Sequence, residues 1–332
     1  MRIKELEINH YRNLSHPYIK FSESNITAIT GVNGSGKTSI LDAIALLAMN
    51  VKDMSLDIKG IFEDDDGDTF SYHTLIDTLV IQSKQINLTY IDSYRYTRED
   101  SLNVPLELLE DKEVLDKFTN IARDFYKVLN KNLLKVSKDT LSLKLIFSDS
   151  SEFTLNQLGD GCRVFLSTII ELLYVEKLKP IPIVLIDELE IHLHPSLHRM
   201  LIIILKKYFS KLQFVITTNS PILISQLSSE EVRIINPIDY LVDICEYHTF
   251  GADANRLLKL VFDTDERPED IKRLFEDFSF KVADRNFLEA KNILAKLKSI
   301  VGELDSEVLG CQVTLDLEQL DEKCFGDKHK KR

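Results

Sequence analysis

The chain has 332 residues, 44% hydrophobic and 28% charged, which suits one large domain or two modest ones and excludes a disordered chain. Its 41 basic and 53 acidic residues leave a net charge of −12, which argues against a broad nucleic-acid-coating surface but leaves room for a local basic patch. Cys162, Cys245, Cys311 and Cys324 form no C-x-x-C pair and read as free thiols, and neither an amino-terminal apolar region nor an 18-residue apolar run is present. A cytoplasmic protein with no membrane association is expected.

Alternating apolar residues predict strands at Ile3–Ile8, Tyr18–Phe21 and Ile26–Ile29, the last running straight into GVNGSGKTS at 31–39. Ile40, Leu41, Ile44 and Leu47 then recur at helical spacing. Residues 51–75 are polar, and the acidic run EDDDGD at 63–68 reads as a solvated loop, because it lacks the alternating ligand spacing of a calcium loop. Strand-like sequence returns at 78–92, a charged helical insertion is expected over about 95–140, and a hairpin at 141–154. LGDGC at 158–162 is a turn before a long apolar helix. IPIVLIDELE at 181–190 has the continuous apolar run of a strand buried on both faces, followed by a helix and the strand of FVITTNSP at 214–221. Alternating strands and helices predict an α/β domain over 1–248. A helical region over 249–332 follows, with Phe287, Ile293, Leu294, Leu297 and Ile300 on one face and DKHKKR as a frayed tail.

The stretch 31–39 fits G-x-x-x-x-G-K-[ST] between a strand and a helix, the context a phosphate-binding loop requires. Asn33, Gly34, Ser35, Gly36, Lys37, Thr38 and Ser39 are its nucleotide-binding residues. Gly34 and Gly36 let backbone N–H groups form a nest for phosphates, the helix start adds a positive dipole end, and Lys37 adds a point charge. Thr38 offers a hydroxyl to Mg²⁺. Asp187 ends a buried strand, where a carboxylate is costly without a cation, and is the second metal-site residue. Glu188 is the candidate catalytic base toward an attacking water. His192, His194 and His198 lack further ligands at zinc spacing and read as a turn.

These motifs, in this order, resemble the ABC-type ATPases of the RecF, Rad50 and SMC group, and the stand-alone ATPases grouped with OLD-family proteins, over about residues 1–245. The resemblance implies an ABC-type (RecF/Rad50-like) P-loop ATPase with a mixed β-sheet and a small carboxyl-terminal helical appendage. It also implies a homodimer, or a higher oligomer built from it, in which two copies sandwich two ATP molecules with Mg²⁺. Gly159, Asp160 and Gly161 would then form the signature turn that caps the γ-phosphate held by the other copy. Two residues depart from the family pattern: Gly159 stands where the family has serine, and Asn219 where it usually has histidine. An amide keeps a hydrogen-bond donor for the γ-phosphate but carries no proton or positive charge, so Asn219 is expected to act as a sensor in a slow switch. Gln82 and Gln85 are candidates by position for the family's glutamine loop.

The segment FGADANRLLKLVFDTDERPEDIKRLF and the helices after it resemble PtuA-like ATPases of the Septu and retron-associated antiphage systems. That resemblance implies an HNH-type nuclease partner (PtuB-like), docked on the carboxyl-terminal helices, and nucleic-acid association through that partner. A RecF/Rad50-like repair ATPase acting directly on DNA is the alternative. A self-contained nuclease would need a Toprim domain, for which the tail after 248 is too short and too helical. EIHLHP and the helical tail do not suit a transporter ATPase.

Overall fold

The computed structural model describes residues 1–14, 16–49, 56–74, 86–92, 105–138, 142–178, 182–265 and 267–325. They fall into two compact units, Met1–Thr264 and Asp265–Arg332. Gln82, Gln85 and the DKHKKR tail lie outside the described residues.

The first unit begins with β1 (Arg2–His10), β2 (Tyr18–Lys20) and β3 (Ile26–Thr30), and the loop after β3 leads into α1 (Lys37–Ala48). Next come β4 (Asp57–Glu63), β5 (Thr69–His73) and β6 (Leu88–Ile91), then α2 (Lys112–Val128) and the strands β7 (Leu133–Lys138), β8 (Leu143–Phe147) and β9 (Glu152–Thr154). α3 (Asp160–Lys177), β10 (Ile183–Ile186), α4 (Pro195–Tyr208), β11 (Gln213–Thr217) and the single turn α5 (Pro221–Ile224) follow. β12 (Val232–Ile235), β13 (Val242–Ile244) and α6 (Ala254–Val261) complete the unit.

The central sheet has the order β13-β12-β3-β11-β10-β6. β12, β3, β11, β10 and β6 run parallel, and β13 joins β12 antiparallel, so the sheet is mixed. β3, β10 and β11 are buried at every position because both faces are covered, which is why their sequences are continuously apolar rather than alternating. Within them the side chains still alternate between two cores. Ile26, Val184, Ile186, Phe214 and Ile216 pack toward α2, α3 and α4. Ile29, Ile183, Leu185 and Val215 pack toward Ile40, Leu41 and Ile44 of α1 and toward β1 and β4. A four-stranded antiparallel sheet, β2-β1-β4-β5, covers the latter side. The hairpin expected at 141–154 is present as β8 and β9, and β7 extends it to three strands.

The structure corrects three readings. Residues 57–73 are a hairpin rather than an open polar stretch: Ile58, Gly60 and Phe62 face the core while their charged neighbours mask the alternation. The run EDDDGD is the turn of that hairpin, with Asp64 accepting from the backbone N–H groups of Asp66 and Asp68. The expected helical insertion is helical only in part, since Leu133–Lys138 pairs with β8 as a strand. Finally, the first compact unit runs past residue 248 to Thr264, because Leu257, Val261 and Phe262 are buried in its core.

The second unit contains α7 (Glu269–Ala283), α8 (Phe287–Val301) and α9 (Ser306–Phe325). Phe275, Phe278 and Val282 meet Ala290, Leu294 and Leu297, and Val308 and Leu315 of α9 close the cluster. Ala290, Leu294 and Leu297 form the buried line of α8, with Val301 partly buried after them; Ile300 falls beside it and is 53% exposed, unlike the face read from sequence. Arg267 ties the start of α9 down, reaching both carboxylate oxygens of Asp305 at 2.8 and 2.9 Å and Glu307 at 2.8 Å.

Candidate nucleotide site

Three adjacent parallel strands, β3, β11 and β10, end on the same edge of the sheet. Their carboxyl ends carry GVNGSGKTS, TTNSP and DELE, which is where open α/β sheets place their ligands. The register brings the loops together: Ile186 lies opposite Ile216, and Thr217 opposite Ile29.

In the first loop Gly34 and Gly36 have φ +81° and +103°, left-handed values that favour glycine. Gly36 is also sterically fixed, since a Cβ there would lie 2.7 Å from Leu14 Cδ2. Asn33 and Gly34 are exposed, whereas Ser35, Lys37 and Ser39 are buried. Asn13 braces the loop, donating to the Gly34 carbonyl at 3.2 Å and accepting from Ser39 Oγ at 3.5 Å. Lys37 Nζ donates to the carbonyls of Gly31 (2.9 Å) and Val32 (3.1 Å). Burial pushes the Lys37 ammonium pKa down, while the charges of Glu188, Asp187 and Glu190 oppose that shift.

Thr38 Oγ1 lies 3.1 Å from each carboxylate oxygen of Asp187, which is 4% exposed. One hydroxyl and two carboxylate oxygens therefore converge at the foot of the phosphate loop, the hard oxygen donor set that suits Mg²⁺. Thr217 supports the acid from the neighbouring strand. Its fully buried hydroxyl donates to Asp187 Oδ1 at 2.6 Å and accepts from Glu188 N–H at 2.8 Å. Glu188 takes φ +47°, a conformation costly for a residue with a Cβ, and the Thr217 bond holds it there.

Asn219 Nδ2 lies 3.4 Å from Glu188 Oε1, so the candidate base and sensor meet. The Asn219 backbone N–H donates to Glu190 Oε1 at 2.6 Å, and the buried Glu190 Oε2 has no hydrogen-bond partner among the described residues. Sequence reasoning stopped at Glu188 and missed Glu190, as it missed Asn13 and the bridging role of Thr217. A third carboxylate within four residues of a buried strand end was the available signal for Glu190. Nothing in the sequence separates Asn13 from a surface asparagine.

His194 caps α4. His198 is buried, with Nε2 donating to the Leu193 carbonyl at 3.1 Å and Nδ1 accepting from Ser220 Oγ at 2.7 Å. It thereby ties the DELE loop to the TTNSP loop. No cluster of metal-ligating side chains occurs among the described residues.

The candidate signature residues sit elsewhere. Gly159 precedes the first turn of α3, and Asp160 pairs with Arg163 at 2.7 Å. Gly161 is held against the loop after Asp187: a Cβ there would lie 2.6 Å from the His192 carbonyl oxygen. Among the described residues no hydrogen bond joins 159–161 to 31–39 of the same chain.

The mixed sheet, the phosphate loop and the Asp187 strand define an ABC-type P-loop ATPase. Residues 2–236 match the model described as the RecF/RecN/SMC N terminal domain, and the chain belongs to that family. In fold it is similar to the SMC head domain of Thermotoga maritima (TM-score 0.51, 15% identity, 74% of this chain and 100% of that one). It is also similar to an Smc head bound to the C-winged helix domain of ScpA (TM-score 0.50, 13% identity, 73% and 96%). Among curated proteins it resembles the Retron Vc95 probable ATPase of Vibrio cholerae, 24% identical over 229 residues that cover 60% of this chain and 44% of that protein. It resembles Septu protein PtuA of Bacillus mycoides at 23% identity, covering 70% of this chain and 40% of that protein. For PtuA of Bacillus thuringiensis the identity is 24%, and the coverage 80% and 85%. The match thus spans less than half of the Vc95 and B. mycoides proteins. Among the described residues no helix is long and apolar enough to cross a membrane.

Proposed function

We propose that this chain is the ATPase subunit of a cytoplasmic antiphage defence complex, a slow switch that pairs on ATP and controls an HNH-type nuclease partner of the PtuB kind. The similarity to retron and Septu ATPases supports the biological setting. The observation that carries the biochemical reading is the convergence of Thr38 Oγ1 on both oxygens of the buried Asp187, beside a lysine held in the phosphate loop. Magnesium ATP supplies the transferable γ-phosphoryl group and the charge that offsets its oxygens. Asn33 to Ser39 bind the phosphates, and Thr38 with Asp187 hold the cation. Glu188 accepts the proton of the attacking water, and Asn219, anchored through its backbone by Glu190, orients the base and donates toward the γ-phosphate.

Among the described residues, Gly159 to Gly161 make no hydrogen bond to their own phosphate loop. This suits a turn that completes the site of a second copy, with the backbone N–H groups at the start of α3 as its donors. The lost serine hydroxyl at 159 and the lost imidazole at 219 both favour slow turnover.

Glu188→Gln tests the reading. Light scattering after gel filtration is expected to show an ATP-bound dimer, with phosphate release reduced at least a hundredfold. Unchanged phosphate release removes Glu188 from the role. Co-expression with the proteins encoded beside it is expected to bring down a nuclease on a tag carried by this chain. Purification alone, with DNA binding of its own, favours the repair function instead.

A further inference from the structure

The outward face of α9 is apolar. Leu309, Val313, Leu317 and Leu320 are 48%, 58%, 61% and 56% exposed, whereas Val308 and Leu315 of the same helix are fully buried. Their spacing of four, four and three residues puts them on one side of the helix, in a stripe about 17 Å long. A solvent-facing helix side normally carries polar residues, so four consecutive apolar positions mark a contact surface.

The charges beside the stripe say what kind of surface it meets. α9 contains five acids, Glu307, Asp316, Glu318, Asp321 and Glu322, against a single base, Lys323. On a helical projection Asp316 flanks the stripe on one side and Asp321 on the other, whereas Glu307, Glu318 and Glu322 fall well away from it. Arg267 fixes Glu307 and Asp305, so the helix is presented on an anchored base.

We propose that α9 is the docking surface for a basic amphipathic helix of a partner protein, one with an apolar ridge of about three turns flanked by lysines or arginines. This deepens the partner reading above by naming the partner's chemistry. A second copy of α9 is disfavoured, since it would set acidic flanks against acidic flanks. The chain's own basic tail, DKHKKR, matches the charge but has no apolar side chain to cover the stripe.

The test uses the full chain without nucleotide, so it is independent of ATP binding. The probe is a fluorescein-labelled 18-residue Leu/Lys amphipathic helix, with a Leu/Glu helix of the same pattern as control. Saturable binding of the Leu/Lys helix is expected, weakened by added salt, and reduced at least about tenfold in Val313→Ser/Leu317→Ser. These substitutions are charge-neutral and at exposed positions; if that variant melts early, Leu309→Ser/Leu320→Ser gives the same readout. The proposal is overturned by no binding to the wild type, by equal binding to wild type and both variants, or by binding of the Leu/Glu helix. It is also overturned if sedimentation shows a nucleotide-free oligomer that the serine variants dissolve, because the stripe is then covered by a second copy.

Discussion

Replacing Thr217 by valine removes one oxygen and keeps the shape of the side chain. That oxygen accepts from Glu188 N–H at 2.8 Å and donates to Asp187 Oδ1 at 2.6 Å, at a position with no exposure. The valine takes the hydroxyl acceptor from the part-buried Glu188 N–H, at a cost of about 1–3 kcal/mol, and takes one bond from a carboxylate, where hydrogen bonds are worth about 1.5–3 kcal/mol. Asp187 keeps Thr38 at 3.1 Å, so the two losses overlap and about 2–4 kcal/mol is expected for Thr217→Val. For a unit of this size that corresponds to a melting temperature lower by roughly 4–16 °C. Thr217→Ser keeps both hydrogen bonds and loses one methyl group, worth about 1 kcal/mol. The assay is differential scanning fluorimetry of the three proteins with and without ATP, alongside steady-state phosphate release. Valine should be the less stable and less active variant, because Glu188 is no longer held at φ +47°. Equal stability of Thr217→Val and wild type, or a larger loss in Thr217→Ser, would refute the assignment of the hydroxyl as the bridge.

Glu190→Ala is expected to release the Asn219 amide, speeding hydrogen exchange at 217–220 and lowering turnover about tenfold while ATP affinity holds. Glu190→Gln retains an acceptor and should restore both; identical behaviour of the two variants would count against positioning. Gly161→Ala places a Cβ 2.6 Å from the His192 carbonyl and should cost about 1–3 kcal/mol with impaired pairing on ATP, measured by melting and gel filtration. Gly159→Ser meets nothing within 4 Å, so it should fold normally and raise phosphate release, and a fall in release would argue against the signature role. Glu231 supplies the pH dependence. Burial raises its pKa, but Lys206 at 2.7 Å, Ser228 N–H and the Ser24 hydroxyl outweigh burial and hold the carboxyl below its ordinary value. Its contribution is therefore present above the unfolded carboxylate pKa of about 4.3 and lost as pH falls through the lower folded value. The melting difference between wild type and Glu231→Gln should be largest near neutrality and shrink on acidification. A constant difference between pH 7 and pH 3 would contradict this.

Local chemistry was legible where the chain has to meet two demands at once. GVNGSGKTS combines glycines at positive φ with a lysine and a hydroxyl, and IVLIDE places carboxylates at the end of a fully buried strand; few structural roles require either pattern. The strands β4 and β7 were not legible, because partly exposed strands carry charged residues that dilute the period of two, and only pairing with β1 and β8 fixes them. α6 joined the first unit for a similar reason. An amphipathic helix announces an apolar face but not which core receives it.

By itself, the sequence determined the order of the motifs, the α/β alternation and the placing of GVNGSGKTS and of Asp187 and Glu188 directly after buried strands, because each depends on neighbours within a few residues. Only the tertiary structure decided that Thr217 bridges Asp187 and Glu188, that Glu190 clasps the Asn219 amide, and that Gly161 abuts His192. Those contacts join residues as many as 31 positions apart, brought together where β3, β11 and β10 end side by side. Sequence spacing along the chain carries no record of which strands become neighbours; sheet order supplies it.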